Sequence, residues 1–193
     1  MILRNFISFK AIISVLFLSV LACANHSSTD QITNFTLPDY NGKEHSLSDY
    51  NNSKAIVIMF IATECPVSNA YNSRMEDLYK EYNPKDIAFL GINSNKAESV
   101  ERIKEHAEEK GLTFPILKDN NNVIADEFDA SFTPEVFVLN GKYEILYHGR
   151  IDNSKNEADV VSQDLKNALD EILAGKEVTN KSTKAFGCSI KRV

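Results

Sequence analysis

The stretch Ala55–Tyr82, AIVIMFIATECPVSNAYNSRMEDLYKEY, limits what this chain can become more than any other. Ala55–Ile61 is an unbroken apolar run, the pattern of a strand covered on both faces. After Ala62-Thr63-Glu64 comes Cys65-Pro66, and then apolar side chains recur at helical spacing: Val67, Tyr71, Met75, Leu78, Tyr79 and Tyr82. The spacing predicts a strand that hands over to a helix, with Cys65 at the helix start and Asn83-Pro84 at its end. Proline is at home in a first helical turn, where its missing N–H costs nothing. Unpaired N–H groups and the positive end of the helix dipole favour a thiolate, the nucleophilic form of cysteine. The competing reading is a buried structural cysteine, because free cysteine is among the most buried residue types.

The rest of the chain supplies a partner sheet. Phe35-Thr36-Leu37 and Lys43 to Ser48 flank Asn41-Gly42, a tight-turn pair, and predict an N-terminal β-hairpin followed by a one-turn element at Ser46–Tyr50. Asp86–Asn93 is a second buried strand, Ser94–Gly111 a charged helix stopped by Gly111, and Thr113–Leu117 a short edge strand containing Pro115. Val123–Phe128 reads as a short helix. Val136–Leu139 and Tyr143–Tyr147, joined at Asn140-Gly141, read as a second hairpin, and Val160–Ala174 as an amphipathic helix closed by Gly175. Alternating strands and helices followed by an antiparallel pair predict an α/β fold with a mixed central sheet and helices on both faces. Reactive groups in such sheets sit beyond the carboxyl ends of the strands, where Cys65 falls.

Residues 1–22 are set apart from the fold. Arg4 and Lys10 precede an apolar run, Ala11 to Ala22, that is short for a membrane span of about 20 residues and has the shape of a secretory signal peptide. Ser19-Val20-Leu21-Ala22-Cys23 resembles the lipobox of bacterial lipoproteins. That resemblance implies cleavage before Cys23 and a lipid on its sulfur, with residues 23–31 as a lipid-anchored tether and a cell-envelope location on the periplasmic side. An ordinary signal peptide would instead leave Cys23 a free thiol. Removing residues 1–22 makes the formal charge of −6 more negative by two units, and an acidic domain argues against nucleic acid as a partner. The remaining cysteines are Cys65 and Cys188. In an exported protein two thiols invite a disulfide, although only geometry decides it.

The order of elements, with Cys65-Pro66 after the first long strand and Thr133-Pro134 before the second hairpin, resembles the thioredoxin superfamily. The N-terminal hairpin and the inserted Ser94–Gly111 helix are similar to its redoxin branch, which includes peroxiredoxin-related and TlpA-like extracytoplasmic proteins. The likeness covers Phe35–Ala174 and places a redoxin domain at residues 32–175, with 176–193 as a tail. It implies that Cys65 stands for the attacking cysteine and Ser68 for the resolving one, so the motif is C-x-x-S. It also implies a cis bond at Pro134, facing Cys65, and a Thr133 backbone offered to an incoming peptide; the alternative is a trans proline opening an edge strand. Two departures stand out. Met59 occupies the place of the thioredoxins' buried acid, and Ile58 and Ala62 replace the proline and hydroxyl residue that peroxiredoxins carry before their peroxidatic cysteine.

These readings define expectations. Cys65 is the nucleophile of a thiol–disulfide oxidoreductase, with Pro66, Ser68, Thr133 and Pro134 shaping its substrate groove. Cys188 is the resolving thiol if Phe186 and Ile190 dock the tail and Gly187 permits a close approach; otherwise the tail is frayed. The substrates are protein thiols or disulfides, or a small peroxide in a peroxiredoxin-like alternative. A separate protein acts as reductant, and no cofactor or metal is required. Two further alternatives are a Sco-like copper site at Cys65, Cys188 and His148, and a non-catalytic binding module. Glu64 reads as a solvated loop residue and Arg150 as a surface ion pair; His26, His45 and His106 receive no role.

Overall fold

The structure is a computed structural model that describes residues 31–193. The signal-peptide reading, the lipidation site Cys23 and the tether up to residue 30 lie outside the described residues. Among the described residues no helix is long and apolar enough to cross a membrane.

A small antiparallel hairpin, β1 (Thr36–Pro38) and β2 (Glu44–Ser46), opens the fold and runs into a 3-10 turn at Leu47–Tyr50. The core sheet contains β3 (Ala55–Phe60), β4 (Ile87–Asn93), β5 (Ile116–Lys118), β7 (Glu135–Leu139) and β8 (Ile145–Gly149), in the spatial order β5-β4-β3-β7-β8. The first three are parallel, while β7 and β8 run antiparallel to their neighbours, so the sheet is mixed as expected. Because side chains alternate along a strand, β3 feeds two cores. Ala55, Val57 and Met59 pack with α2 (Asn72–Tyr82), α3 (Val100–Lys110) and α5 (Asp164–Leu173) on one face. Ile56, Ile58 and Phe60 pack with Phe35, Leu47 and α4 (Val123–Glu127) on the other. All six residues of β3 are buried, which accounts for its unbroken apolarity.

Several boundaries differ from the sequence reading: β5 begins at Ile116, past Pro115, rather than at Thr113, and four others have a local reason. The helix after Cys65 is split into α1 (Pro66–Asn69) and α2. Arg74 Nη2 donates to the Ala70 carbonyl, taking an acceptor that an unbroken helix would use. The charged helix begins only at Val100, N-capped by the Ser99 side chain, because Asn93, Ser94, Asn95 and Glu98 are drawn into a buried polar cluster. The last helix begins at Asp164 rather than Val160, since Asn153 Oδ1 accepts from the Val161 and Ser162 N–H groups and Val161 is left 89% exposed. The returning strand of the second hairpin starts at Ile145, because Tyr143 closes the turn with φ +64°.

The tail is ordered against the domain. Val178, Ala185 and Ile190 are buried, and β9 (Cys188–Ser189) pairs antiparallel with β6 (Phe132–Thr133), with Thr133 opposite Cys188. Two-residue strands have no pattern of their own, and neither was expected from the sequence.

Candidate active site

Cys65 occupies the N-cap of α1, just past the carboxyl end of β3. Its Sγ accepts from the Ser68 N–H at 3.3 Å, a bond that favours a thiolate over a thiol. It also lies 3.3 Å from the Thr133 carbonyl oxygen. The Thr133–Pro134 bond is cis, as the family likeness implies. Cys65 is 4% exposed and is joined to Cys188 by a disulfide with a Cα–Cα distance of 5.9 Å, inside the usual range. The tail therefore reaches the helix start, and the frayed-tail alternative does not hold.

The other expected groove residues divide. Pro66 is exposed beside Cys65, and Thr133 and Pro134 are buried under the tail. Ser68 is fully buried, and its hydroxyl accepts from the Ala62 N–H at 3.1 Å, so it closes the turn from β3 into α1. Glu64 is exposed and pairs with Arg102. Arg150 pairs with Asp164 at 2.7 Å. His148, a copper candidate, stacks on Phe137 and bonds Glu135 through Nε2 at 2.7 Å; it does not line the cavity that holds the two sulfurs. Among the described residues no group of three metal-ligating side chains comes together.

Two buried carboxylates near the site escaped the sequence reading. Glu98 is 5% exposed and receives four hydrogen bonds. The Thr63 N–H and the Asn93 amide bond its Oε2, and the Glu64 N–H and the Asn95 amide bond its Oε1. It thus ties down the two residues immediately before Cys65. The signal was the polar run Asn93-Ser94-Asn95 at the carboxyl end of a buried strand, where sites tend to lie. Glu135 follows the cis proline and accepts from the Ser131 and Phe132 N–H groups, so it fixes the approach to Thr133. Burial pulls its carboxyl upward, but the His148 ring and those two N–H donors outweigh it, and its pKa lies below the usual range. Lys118 is buried beside the Glu98 cluster, and burial lowers its pKa against the opposing pull of Glu98 and Asp119.

A third buried group braces the helix start. Tyr71 donates to the Ser154 carbonyl at 2.8 Å and to Asp152 at 3.0 Å, and Arg74 pairs with Asp152. Burial first, then Asp152, pushes the Tyr71 phenol well above its ordinary value. Cys65, Cys188, Ala62, Asn95, Glu98 and Thr133 are among the residues around a cavity of about 170 Å³. The arrangement holds two sulfurs, one against a backbone donor at a helix start and one on a strand of the tail. It is a closed disulfide that can open to two thiols.

Residues 29–154 match the model of the AhpC/TSA family. The chain is 27% identical over 140 residues to the thiol-disulfide oxidoreductase ResA of Geobacillus thermodenitrificans, which covers 72% of this chain and 74% of that protein. It is 33% identical over 113 residues to the thioredoxin-like protein YneN of Bacillus subtilis, covering 58% of this chain and 65% of that one. A crystal structure of an uncharacterized conserved protein from Geobacillus kaustophilus superposes with a TM-score of 0.78 at 35% identity, covering 83% of this chain and 89% of that one. The sheet order, the cis proline opposite the helix-start cysteine and the match over residues 29–154 agree, and the chain belongs to the AhpC/TSA family.

Proposed function

We propose that Cys65 and Cys188 are the working redox couple of a thiol–disulfide oxidoreductase. The single observation that carries this reading is the Cys65–Cys188 bond, formed across 123 residues between a helix start and the only cysteine of the tail. In the reduced chain the Cys65 thiolate attacks a disulfide, forms a mixed disulfide and expels one partner thiolate. The Cys188 thiolate then attacks Cys65 Sγ, closing the internal bond and expelling the second partner thiolate. Two electrons pass from the chain to the substrate, and an external dithiol returns them by a different order of attack: its first thiolate attacks Cys188 Sγ and expels Cys65, and its second thiolate then expels Cys188 while its own disulfide closes. Cys188 is half-buried while Cys65 is 4% exposed, so the reductant, a separate thiol protein, meets Cys188 first and Cys65 leaves. The Ser68 N–H stabilises that leaving thiolate. Ser68 acts by holding the turn, and Pro66, Thr133 and Pro134 border the partner strand. No cofactor enters these steps.

A second reading, oxidation of Cys65 by a small peroxide, is favoured by the cavity of about 170 Å³ beside the sulfurs, which admits a small oxidant. Ala62 offers no hydroxyl to hold one there. The proposal extends to place and domain organisation. Residues 1–22 are an export signal, Cys23 carries lipid, residues 23–31 tether the redoxin domain at 32–175 to the periplasmic side of a bacterial membrane, and residues 176–193 form its resolving tail. A disulfide that persists suits such an oxidising compartment.

The test is a stopped reaction of the reduced chain with a protein disulfide and, separately, with hydrogen peroxide. Both should end in the internal disulfide, the protein disulfide reacting faster. The Cys188→Ser chain should halt at a mixed disulfide on Cys65 with the protein disulfide and at a Cys65 sulfenic acid with peroxide, and the Cys65→Ser chain should not react. Reaction that persists in the Cys65→Ser chain would falsify the assignment.

A further inference from the structure

The tail is fastened along its length by contacts that do not involve sulfur. The His148 N–H donates to the Lys181 carbonyl and the Thr183 N–H to the His148 carbonyl, both at 2.9 Å. Phe186 packs edge-on against Tyr71, the Ile190 N–H donates to the Ser131 carbonyl at 3.0 Å, and the Lys191 N–H donates to Asn95 Oδ1 at 2.8 Å. Between these points β9 fills the edge of β6. Reducing the disulfide leaves every one of these bonds in place. A partner that adds a strand at Thr133 to reach Cys65 has to take the ground β9 occupies.

Gly187 marks the tightest point on that ground. A Cβ there would lie 2.1 Å from the Thr133 carbonyl oxygen and 2.8 Å from its carbon. Both obstacles are backbone, beside a proline, and cannot rotate aside. The φ of Gly187 lies outside the left-handed region, so glycine is required for space rather than for conformation.

We infer that residues 186–190 are an internal stand-in for the partner's strand, and that the partner presents an extended segment with glycine immediately before its reactive cysteine. The inference rests on the thiol–disulfide reading above. The partner segment adds antiparallel to Phe132–Thr133, its cysteine opposite Thr133 as Cys188 is, and the tail yields to it by strand exchange. In that step the Cys65 thiolate bonds the partner's sulfur, the partner's own disulfide breaks, and its other half leaves as a thiolate carrying the electron pair.

The test uses the full chain carrying Cys188→Ser and two synthetic peptides, Ala-Phe-Gly-Cys-Ser-Ile and Ala-Phe-Ala-Cys-Ser-Ile. Each peptide is supplied as a mixed disulfide with nitrothiobenzoate, whose release is coloured. The symmetrical aromatic disulfide alone is the control. The glycine peptide should react about tenfold faster than the alanine peptide, the ratio expected when one methyl is forced onto backbone. Phe186→Ala, which loosens the tail, should speed reaction of the glycine peptide several-fold; Thr183→Ala, which removes the hydroxyl that bonds the Tyr147 hydroxyl and accepts from the Arg150 N–H, should do the same. Equal rates for the two peptides, or no response to either loosening variant, overturn the inference while normal reaction with the control leaves the thiol-exchange reading standing. A Cys65 inert to all three probes overturns both.

Discussion

Cutting the bond between Cys65 and Cys188 should cost this protein much of its stability. The two cysteines are 123 residues apart, so the crosslink closes a loop of most of the described chain. In the chain-entropy account, a loop that long removes about 5 kcal/mol of freedom from the unfolded state at room temperature. Measured disulfides usually deliver less, so the expected loss on Cys188→Ser is ~3–5 kcal/mol relative to the oxidised chain. With a urea dependence of about 2 kcal/mol per molar, the midpoint should fall by about 2 M. The assay is equilibrium urea unfolding followed by far-UV circular dichroism, run on the oxidised chain, the reduced chain, Cys188→Ser and Cys65→Ser. Serine at position 65 can still accept from the Ser68 N–H, so its cap survives the substitution. The reduced chain and both variants should therefore unfold together, well below the oxidised chain. The double variant should match the singles, because the second substitution removes nothing further. An oxidised chain that unfolds at the same midpoint as the reduced one would refute the reasoning, since the tail would then be held by its non-covalent contacts alone.

Two further outcomes follow from buried groups. Glu98→Ala strands the Thr63 and Glu64 N–H groups and the Asn93 and Asn95 amides, and should lower stability by about 3 kcal/mol in urea unfolding, with Glu98→Gln losing less because one acceptor oxygen remains. His106 is 2% exposed, and burial first, then Arg102, holds its pKa below the ordinary value of 6.5. The unfolded chain therefore takes the proton first, so stability is full above about pH 6.5 and is lost as pH falls from there through the folded value. The drop in urea midpoint between neutral and mildly acidic pH should be smaller in His106→Gln, and an unchanged drop would refute the assignment.

The sequence carried the frame of the site because that frame rests on local pattern. An apolar run, a break and a 3.6-residue repeat locate Cys65 without any tertiary information. Asn41-Gly42 and Gly111 likewise mark their turns by conformational preference. The cis bond at Pro134 has no local signature and came only with the family likeness. Residues 94–98 were misread because a polar run ahead of Val100, Ile103 and Ala107 looks like the exposed start of the same helix, whereas Asn93, Asn95 and Glu98 are buried by satisfying one another. Val160 and Val161 fitted the apolar face of the last helix, but the Asn153 side chain holds their stretch of backbone outside it. The pairing of β6 with β9 joins segments 55 residues apart in the Thr133–Cys188 register, and no local window contains both.

The tail also governs how the molecule meets other molecules through its backbone. At the outer side of β8, His148 gives its N–H to Lys181 and its carbonyl to Thr183, and Gly149 is shaved of a side chain where Thr183 passes, since a Cβ there would lie 2.1 Å from Thr183 Oγ1. The outer side of β6 is covered in the same way by Cys188 and Ser189. An uncovered strand edge is a template on which further chains can add and aggregate. In the reduced chain, release of residues 181–193 would bare two such edges at once, one of them beside the Cys65 thiol, and offer both to strands of other chains.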